Sequence, residues 1–252
     1  LPGRDFKTNS AHFVSSFLVP FFVDLSRPQD VLNHTCASEN AACLHTLPAS
    51  QWEAASGRSA DWYQEALADG QPVIIYLHGN VGTRWEKSLL SAAGFHVLSL
   101  DYRGFGDSSG HPSEAGLTSD ALYLQQWVKT RSGGSPVCLW GHSLGSGSDC
   151  GSFEGFFSAA SVSNSEADCS VDVCSLKTLT CPLLILHAED DNVVPHRMGQ
   201  QREFGADDRV AMVSYPADLG FSHSNIYMDP SLPETVKYVQ KVLVCLWMKS
   251  NS

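Results

Sequence analysis

Short apolar runs alternate with longer amphipathic stretches from residue 70 onward. Five of these runs are rich in Val, Leu and Ile, the composition of strands that are buried on both faces. The predicted strands are VIIYL (73–77), HVLSL (96–100), VCLW (137–140), PLLIL (182–186) and VAMVSY (210–215). Strands that alternate with helices predict an α/β protein, with a mostly parallel sheet and crossover helices.

Two stretches have the periodicity of helices. The apolar positions of residues 117–130 fall on one stripe, formed by Leu117, Ala121, Leu124 and Val128. Ser119 or Asp120 lies near the predicted start of this helix, since short polar side chains favour helix N-termini. A second helix is predicted from Pro233 to Met248.

Residues 146–175 depart from this alternation. They contain nine Ser and five acidic residues, no Lys or Arg, and no run of four residues typical of a buried strand. We therefore expect an irregular segment here. At 252 residues the chain can form one well-buried core, so we expect a single domain over 1–252, with residues 1–70 as an N-terminal lead-in.

The composition limits the classes of protein to which the chain can belong. The apolar fraction of 43% and the charged fraction of 17% describe a globular chain. A net charge of −11 excludes a nucleic-acid partner, because phosphate backbones are bound by clustered Lys and Arg. The eight cysteines match no zinc pattern, and most are expected to be plain thiols or core fillers.

The apolar stretch at 13–23 (FVSSFLVPFFV) is too short to span a membrane and is interrupted by Pro20. It is interpreted either as a surface that contacts lipid or as a segment that packs on the sheet edge, and the second interpretation is favoured. Any targeting element is expected to lie upstream of Leu1 or to be absent. Asn33 lies in the glycosylation sequon Asn-His-Thr, a pattern that also arises by chance.

The pentapeptide Gly141-His142-Ser143-Leu144-Gly145 directly follows the predicted strand VCLW. Glycines two positions before and after a serine allow the sharp turn from strand to helix that exposes its hydroxyl at the sheet edge. The motif predicts that Ser143 is a catalytic nucleophile in an α/β-hydrolase fold. The alternative is a Gly-Ser turn without chemistry.

A serine nucleophile needs a base and an acid, which follow it in the order acid and then histidine in this fold. Acidic residues come directly after the strand PLLIL, at the sheet edge where ligands bind in α/β proteins. Asp191 is the predicted acid, and Asp190 is the alternative. His223 is the last histidine of the chain and must be the base if a triad exists.

Two backbone amides are predicted to form an oxyanion hole. One is that of Leu144, directly after the nucleophile; the other is in the loop after VIIYL, at Asn80. The His-Gly dipeptide in this loop is also compatible with an ordinary tight turn. No histidine has metal-ligand spacing, so neither a metal nor an organic cofactor is predicted.

Several segments together resemble the lipid-cleaving α/β-hydrolase domain-containing proteins. The resemblance is carried by YLHGNVGTR (76–84), DYRGFGDSSGHPSEAGLTSDA (101–121), WVKTRSGGSPVCLWGHSLGSG (127–147), CPLLILHAEDDNVVP (181–195) and DLGFSHSNIY (218–227). It extends into the N-terminal lead-in through VPFFVDLSRPQD and LNHTC (19–36), and through HTLP and DWYQEALADG (45–70). Ser143, Asp191 and His223 fall on the triad motifs of that family.

The resemblance implies a serine hydrolase that cleaves the acyl ester of lysophospholipids, lysophosphatidylserine among them, and of monoacylglycerols. It also implies a glycoprotein of the endoplasmic-reticulum membrane with a lumenal catalytic domain, whose membrane helix would precede Leu1. The implied partners are a single-chain glycerolipid substrate and a membrane surface. The implied glycosylation site is Asn33.

The chain is shorter than the family pattern after the nucleophile. Residues 146–180 leave too little room for an elbow helix, a sixth strand and a lid, so we expect the lid and the sixth strand to be reduced or missing. A missing strand would leave unpaired backbone beside Ser143. The alternative function is therefore a catalytically impaired lipid-binding or interaction protein of the same fold. A peptidase or thioesterase is a third possibility, because a triad does not select the acyl group.

Overall fold

The computed structural model describes residues 31–34, 41–80, 86–147, 157–160, 183–204 and 210–237. Its strands are β1 Val31–His34, β2 Ala42–Thr46, β3 Val73–Leu77, β4 His96–Asp101, β5 Val137–Gly141, β6 Phe157–Ala160, β7 Leu183–Ala188 and β8 Val210–Tyr215. Its helices are α1 Trp52–Ala55, α2 Ala60–Ala66, α3 Glu86–Ala92, α4 Glu114–Lys129, α5 Leu144–Gly147 and α6 His196–Phe204. Three short 3₁₀ turns are Ala49–Gln51, Ala217–Leu219 and Ile226–Met228, and residues 232–237 are helical.

The eight strands form one sheet in the order β1-β2-β4-β3-β5-β6-β7-β8. All pairings from β4 to β8 are parallel, whereas β1 pairs with β2, and β2 with β4, in antiparallel fashion. The five predicted strands are confirmed as β3, β4, β5, β7 and β8, and β3 and β7 are buried along their whole length. Because β3, β5 and β7 are parallel, their carboxyl ends meet at one edge of the sheet, where the candidate site lies.

The sixth strand was expected to be reduced or missing; it is present and has four residues, so only the second alternative is wrong. Residues 157–160 form β6, which pairs in parallel with β5 on one side and with β7 on the other. The irregular segment expected at 146–175 is therefore interrupted by a strand, and residues 144–147 already form α5. The physical reason is that β5 and β7 both need a backbone partner between them. The remainder of this segment and the expected lid lie outside the described residues.

The lead-in over 1–70 contributes the two antiparallel strands β1 and β2, neither of which its apolar pattern predicted. Cys43 in β2 takes part in a disulfide, so the expectation of a plain thiol is wrong for this residue. Cys138 in β5 is free, and burial raises the pKa of its thiol to about 12, which makes it unreactive. Asn33 lies on β1, an edge strand. Residues 13–23 lie outside the described ranges.

Helix α4 covers the sheet with the predicted stripe, because Leu117, Ala121, Leu124 and Val128 are all buried. It begins one turn earlier than predicted, however. Ser113 is the N-cap, and its hydroxyl oxygen accepts a hydrogen bond from the amide of Gly116 at 3.2 Å.

Asp120, which was expected at the start of α4, lies buried within the helix. It accepts hydrogen bonds from Nε and Nη2 of Arg103 at 3.0 and 2.7 Å, and from the backbone amide of Arg103 at 3.0 Å. The buried carboxylate therefore has both a charge partner and enough donors to compensate for desolvation.

The second predicted helix is confirmed over residues 232–237, and its continuation to Met248 lies outside the described residues. Among the helices of the described ranges, none combines the length and the apolar character needed to cross a membrane.

Two buried histidines and the exposed Asp69 connect the lead-in to the start of β4. His96 Nε2 lies 3.3 Å from Asp69 Oδ2, and His45 Nε2 lies 3.1 Å from His96 Nδ1. A carboxylate can only accept, so His96 carries its proton on Nε2 and accepts from His45 through Nδ1. The imidazole of His96 is neutral in this arrangement. Burial lowers the pKa of His96, although Asp69 opposes the shift through its charge and hydrogen bond.

This lowered pKa predicts a loss of stability in mild acid. Between the folded pKa of His96 and its unfolded value of 6.5, the unfolded chain binds a proton that the folded chain does not. The free energy of unfolding should therefore fall as the pH drops from 7.5 towards 5, with a slope of at most about 1.4 kcal/mol per pH unit from this group. Urea denaturation across that range measures the slope. The His96→Gln variant should show a smaller slope, and an equal slope would refute the assignment.

Candidate active site

Ser143 lies in the tight turn between β5 and α5, at the carboxyl edge of the sheet. Its backbone φ of +53° is in the left-handed region, which a residue with a side chain rarely adopts. The two motif glycines make this turn possible. A Cβ on Gly141 would lie 2.7 Å from the carbonyl oxygen of Gly145, and a Cβ on Gly145 would overlap the carbonyl oxygen of Leu77 in β3. The serine is thus held in a strained conformation by close backbone packing.

The tight packing predicts that Gly145→Ala damages the turn itself. The added methyl group meets the backbone of β3, which cannot move aside as a flexible side chain would, so the free energy of unfolding should fall by about 1–3 kcal/mol. Labelling of Ser143 by a fluorophosphonate probe should also slow. Gly70→Ala is the control, since Gly70 has a φ of +90° but no atom within 4 Å of an added Cβ. This control should lose stability through backbone strain alone and keep the labelling rate.

His223 and Asp191 meet although 32 positions separate them in the chain. Nδ1 of His223 lies 2.9 Å from Oδ2 of Asp191, a distance for a charge-assisted hydrogen bond. Because the carboxylate can only accept, Nδ1 carries the proton and Nε2 is left with its lone pair. That is the tautomer in which an imidazole accepts a proton at Nε2.

Asp191 is held as an anion by its surroundings. Its side chain is only 6% exposed, and burial alone would raise the pKa of its carboxyl. Hydrogen bonds from His187, His223, Val194 and Val193 outweigh burial and hold the pKa far below the ordinary value of 3.8. The amides of Val193 and Val194 both donate to Oδ1, at 2.9 and 2.8 Å. Asp191 is therefore held as an anion at neutral pH.

Asp190, the alternative acid, has a different position. Its Oδ1 accepts a hydrogen bond from the amide of Ser222 at 2.9 Å, and Asn192 Oδ1 accepts from the hydroxyl of the same serine at 3.2 Å. Ser222 has a φ of +50°, so the residue before His223 is also strained. Three consecutive residues of the loop after β7 therefore bind the loop that carries His223. Of these three, Asp191 is the residue that bonds to the imidazole.

The loop after β3 approaches the serine closely. An added Cβ on Gly79 would lie 3.1 Å from Cβ of Ser143, tighter than side-chain carbons usually pack, so a glycine favours this approach. Asn80 follows at an exposed position, and Leu144 begins α5 on the other side of the serine. Neither residue's amide donates to an acceptor within the described ranges. The oxyanion role of these two amides stays a prediction.

Two further histidines contact this group, and the sequence predicted no role in the site for either of them. Nε2 of His187, at the end of β7, lies 3.1 Å from the carbonyl oxygen of Val194 and 3.4 Å from Oδ2 of Asp191. Nε2 of His142 lies 3.1 Å from the carbonyl oxygen of His223. Position in the sequence was the only signal for these contacts. His142 directly precedes Ser143, and His187 lies four residues before Asp191.

The described part of the chain contains no group of three or more His, Cys, Asp or Glu side chains placed to hold a metal ion. The polar groups around Ser143 are instead arranged for proton transfer. A serine at a strained turn, an imidazole oriented by a buried carboxylate and two available amides are the components of acyl transfer.

Comparison with known proteins shows that this chain is similar to α/β hydrolases, named lipases among them. Residues 72–148 match the model of the α/β hydrolase fold family. Lysophosphatidylserine lipase ABHD12 from Rattus norvegicus is 37% identical over an alignment that covers 94% of this chain and 74% of the rat protein. Protein ABHD12B from Homo sapiens is 36% identical, with 89% and 78% covered.

Among solved structures, a serine hydrolase from Xanthomonas campestris, described as lacking a lid, superposes with a TM-score of 0.60 at 16% identity, covering 87% of this chain and 97% of the bacterial one. At that identity the match shows the fold alone. The alignment with the rat lipase spans 298 positions, more than the 252 residues of this chain. The rat protein therefore carries residues that this chain lacks, in agreement with the predicted shortening.

Proposed function

Since this chain belongs to the family of the lysophosphatidylserine lipase ABHD12, within the α/β hydrolases, we propose that it cleaves the acyl ester of lysophosphatidylserine and of monoacylglycerols. The relatives' names and the hydrolase fold support a lipase. The observation that carries the catalytic assignment is the hydrogen bond of 2.9 Å between His223 and Asp191, beside the strained serine.

In the proposed first step, Oγ of Ser143 attacks the acyl carbonyl carbon and Nε2 of His223 takes the hydroxyl proton. The carbonyl oxygen becomes an oxyanion, and the amides of Asn80 and Leu144 donate hydrogen bonds to it. Asp191 stabilises the imidazolium through Nδ1. The bond between the acyl carbon and the glycerol oxygen then breaks, and His223 returns its proton to that oxygen.

In the second step, water replaces the glycerol alcohol. His223 takes a proton from the water, whose oxygen attacks the acyl-enzyme carbonyl, and the same two amides hold the oxyanion again. The ester bond to Ser143 breaks, the proton returns to Oγ, and the fatty acid leaves. Every group that this cycle needs comes from the chain, the lipid substrate or water, so the proposal requires neither a metal nor an organic cofactor.

The sequence also left open a catalytically impaired lipid-binding or interaction protein, an interpretation that rested on loss of the lid and of the sixth strand. Because β6 occupies the place between β5 and β7, the second of these reasons is removed. A catalytic role is thus the better supported proposal, and no observation favours a lipid-binding protein without activity.

Hydrolysis by the purified protein tests the substrate class. Fatty-acid release should be measured from lysophosphatidylserine, lysophosphatidylcholine and a monoacylglycerol in the same detergent micelles, with a diacyl phosphatidylserine, an acyl thioester and a peptide as comparisons. We expect turnover of the single-chain esters and little of the other three. Cleavage of the thioester or peptide without any ester cleavage would reject the proposed substrates, since the triad alone does not select the acyl group.

We further propose that the domain faces the lumen of the endoplasmic reticulum at the membrane and is glycosylated at Asn33. The disulfide at Cys43 supports an oxidising compartment, and Asn33 lies on an edge strand. After expression of the natural protein in animal cells, endoglycosidase H should increase its mobility on a gel. Asn33→Gln should abolish that shift, and a shift that persists would place the glycan elsewhere.

A further inference from the structure

His142 uses its polar groups to join three segments of the candidate site. Its backbone amide donates to the carbonyl oxygen of Leu77 at 3.0 Å, at the end of β3. Its carbonyl oxygen accepts from the amide of Gly145 at 2.9 Å, which closes the turn around the serine. Nε2 of its imidazole lies 3.1 Å from the carbonyl oxygen of His223. The residue directly before the nucleophile thus holds the backbone of the base.

The direction of the last hydrogen bond follows from its acceptor. A carbonyl oxygen can only accept, so the proton of His142 is on Nε2. Burial lowers the pKa of His142, in keeping with a neutral ring whose Nδ1 carries no proton. That Nδ1 lies 3.0 Å from where a Cβ on Gly79 would be, so the ring packs against the oxyanion loop. In this orientation the imidazole of His142 fits against Gly79 and donates its Nε2 proton to the carbonyl oxygen of His223.

His223 needs this further hydrogen bond from His142 because the loop that carries His223 has little regular structure. Residues 216–231 consist of turns and two short 3₁₀ segments, and Ser222 within them is strained. The bond from Asp191 orients the ring of His223, and the bonds from Asp190 and Asn192 hold Ser222, but none of these three bonds holds the backbone carbonyl of His223. A displacement of about 1 Å between reacting groups can cost about 100-fold in rate. Fixing the carbonyl of His223 to the serine turn limits that displacement.

We propose that His142 is a positioning residue, which keeps His223 within reach of Ser143 by donating its Nε2 proton to the carbonyl oxygen of His223. This inference rests on the proposed hydrolytic function. It extends that function to a side chain that takes no part in the proton transfer itself.

Two amide variants of different length test the proposal. In His142→Gln the amide nitrogen reaches about as far as Nε2 of histidine, whereas in His142→Asn it reaches only as far as Nδ1. We expect His142→Asn and His142→Leu to lower kcat by about 10- to 100-fold with KM changed less than about twofold. His142→Gln should recover kcat to within about threefold of the original protein. Equal losses in the Gln and Asn variants, or a loss confined to KM, would overturn the proposal.

A proton NMR measurement separates this proposal from the catalytic one, because it needs no substrate. The Nδ1 proton between His223 and Asp191 should give a low-field resonance in the free protein that is absent from Asp191→Asn. We expect that resonance to persist in His142→Gln and to broaden in His142→Asn through faster exchange with water. An unchanged resonance in His142→Asn would overturn the positioning role even if no ester is cleaved. His111→Leu, at an exposed histidine, controls for loss of a histidine as such.

Discussion

Replacing Ser143 by alanine is expected to lower kcat for acyl-ester hydrolysis by about 10⁶-fold, the scale seen when a serine hydrolase loses its nucleophile. The removed hydroxyl is the atom that forms the acyl-enzyme, and no neighbouring group occupies its position at the turn. Alanine leaves out only the oxygen, so the strained backbone at a φ of +53° and the packing against Gly79 should be preserved. KM and thermal stability should therefore change little.

Fluorophosphonate labelling measures the same change without a lipid substrate. The probe forms a covalent bond with an activated serine, so the original protein should be labelled and Ser143→Ala should not. Ser119→Ala is the matched control, because Ser119 is exposed on α4 and its hydroxyl bonds only within that helix. It should label at the original rate. Labelling that survives in Ser143→Ala would move the nucleophile to another serine.

The parallel strands of the sheet could be predicted because buried strands appear in the sequence as apolar runs. VIIYL and LLILHA are buried along their whole length, and no polar side chain interrupts their first four positions. The stripe of α4 was equally visible, since all four of its predicted apolar residues are buried. In both cases the local pattern and the tertiary environment favour the same structure.

Strands β1, β2 and β6 could not be predicted for the opposite reason. In β2, the sequence ACLHT mixes apolar and polar positions, and its histidine is buried only because His96 supplies a hydrogen-bond partner from β4. The sequence FSAA of β6 lacks the β-branched residues that favour strands. Its strand conformation comes from the partners on both sides, which a local pattern cannot reveal.

In the site, too, sequence motifs predicted some features, whereas others depend on the folded environment. The order of serine, acid and histidine predicted which loops would meet, and it placed Asp191 and His223 as the leading candidates. It could not separate Asp191 from Asp190 by physical means, because adjacent carboxylates on a loop differ only in the direction that the backbone gives them. The contacts of His142 and His187 depend on the folded loops and have no sequence signature beyond their positions.

Changing Asp191 to asparagine is expected to lower kcat by about 10⁴-fold, the second largest effect predicted here. Asparagine has nearly the same shape, so the loop and the amides of Val193 and Val194 should keep their places. The lost charge no longer stabilises the imidazolium of His223. The amide can also donate to Nδ1, which would put the ring proton on Nε2, where the lone pair is needed. Fatty-acid release and fluorophosphonate labelling should both fall.

Asp190→Asn is the control that the structure offers next to it. Asp190 accepts one hydrogen bond, from the amide of Ser222, and the carbonyl oxygen of asparagine can accept the same bond. We therefore expect less than about a tenfold loss in kcat, the scale of a weakened neutral hydrogen bond. Because the pKa of Asp191 is far below its ordinary value, the contrast between the variants should hold from pH 6 to 8. A larger loss in Asp190→Asn than in Asp191→Asn would show that the charge on Asp190 matters more to the base than the carboxylate that contacts its ring.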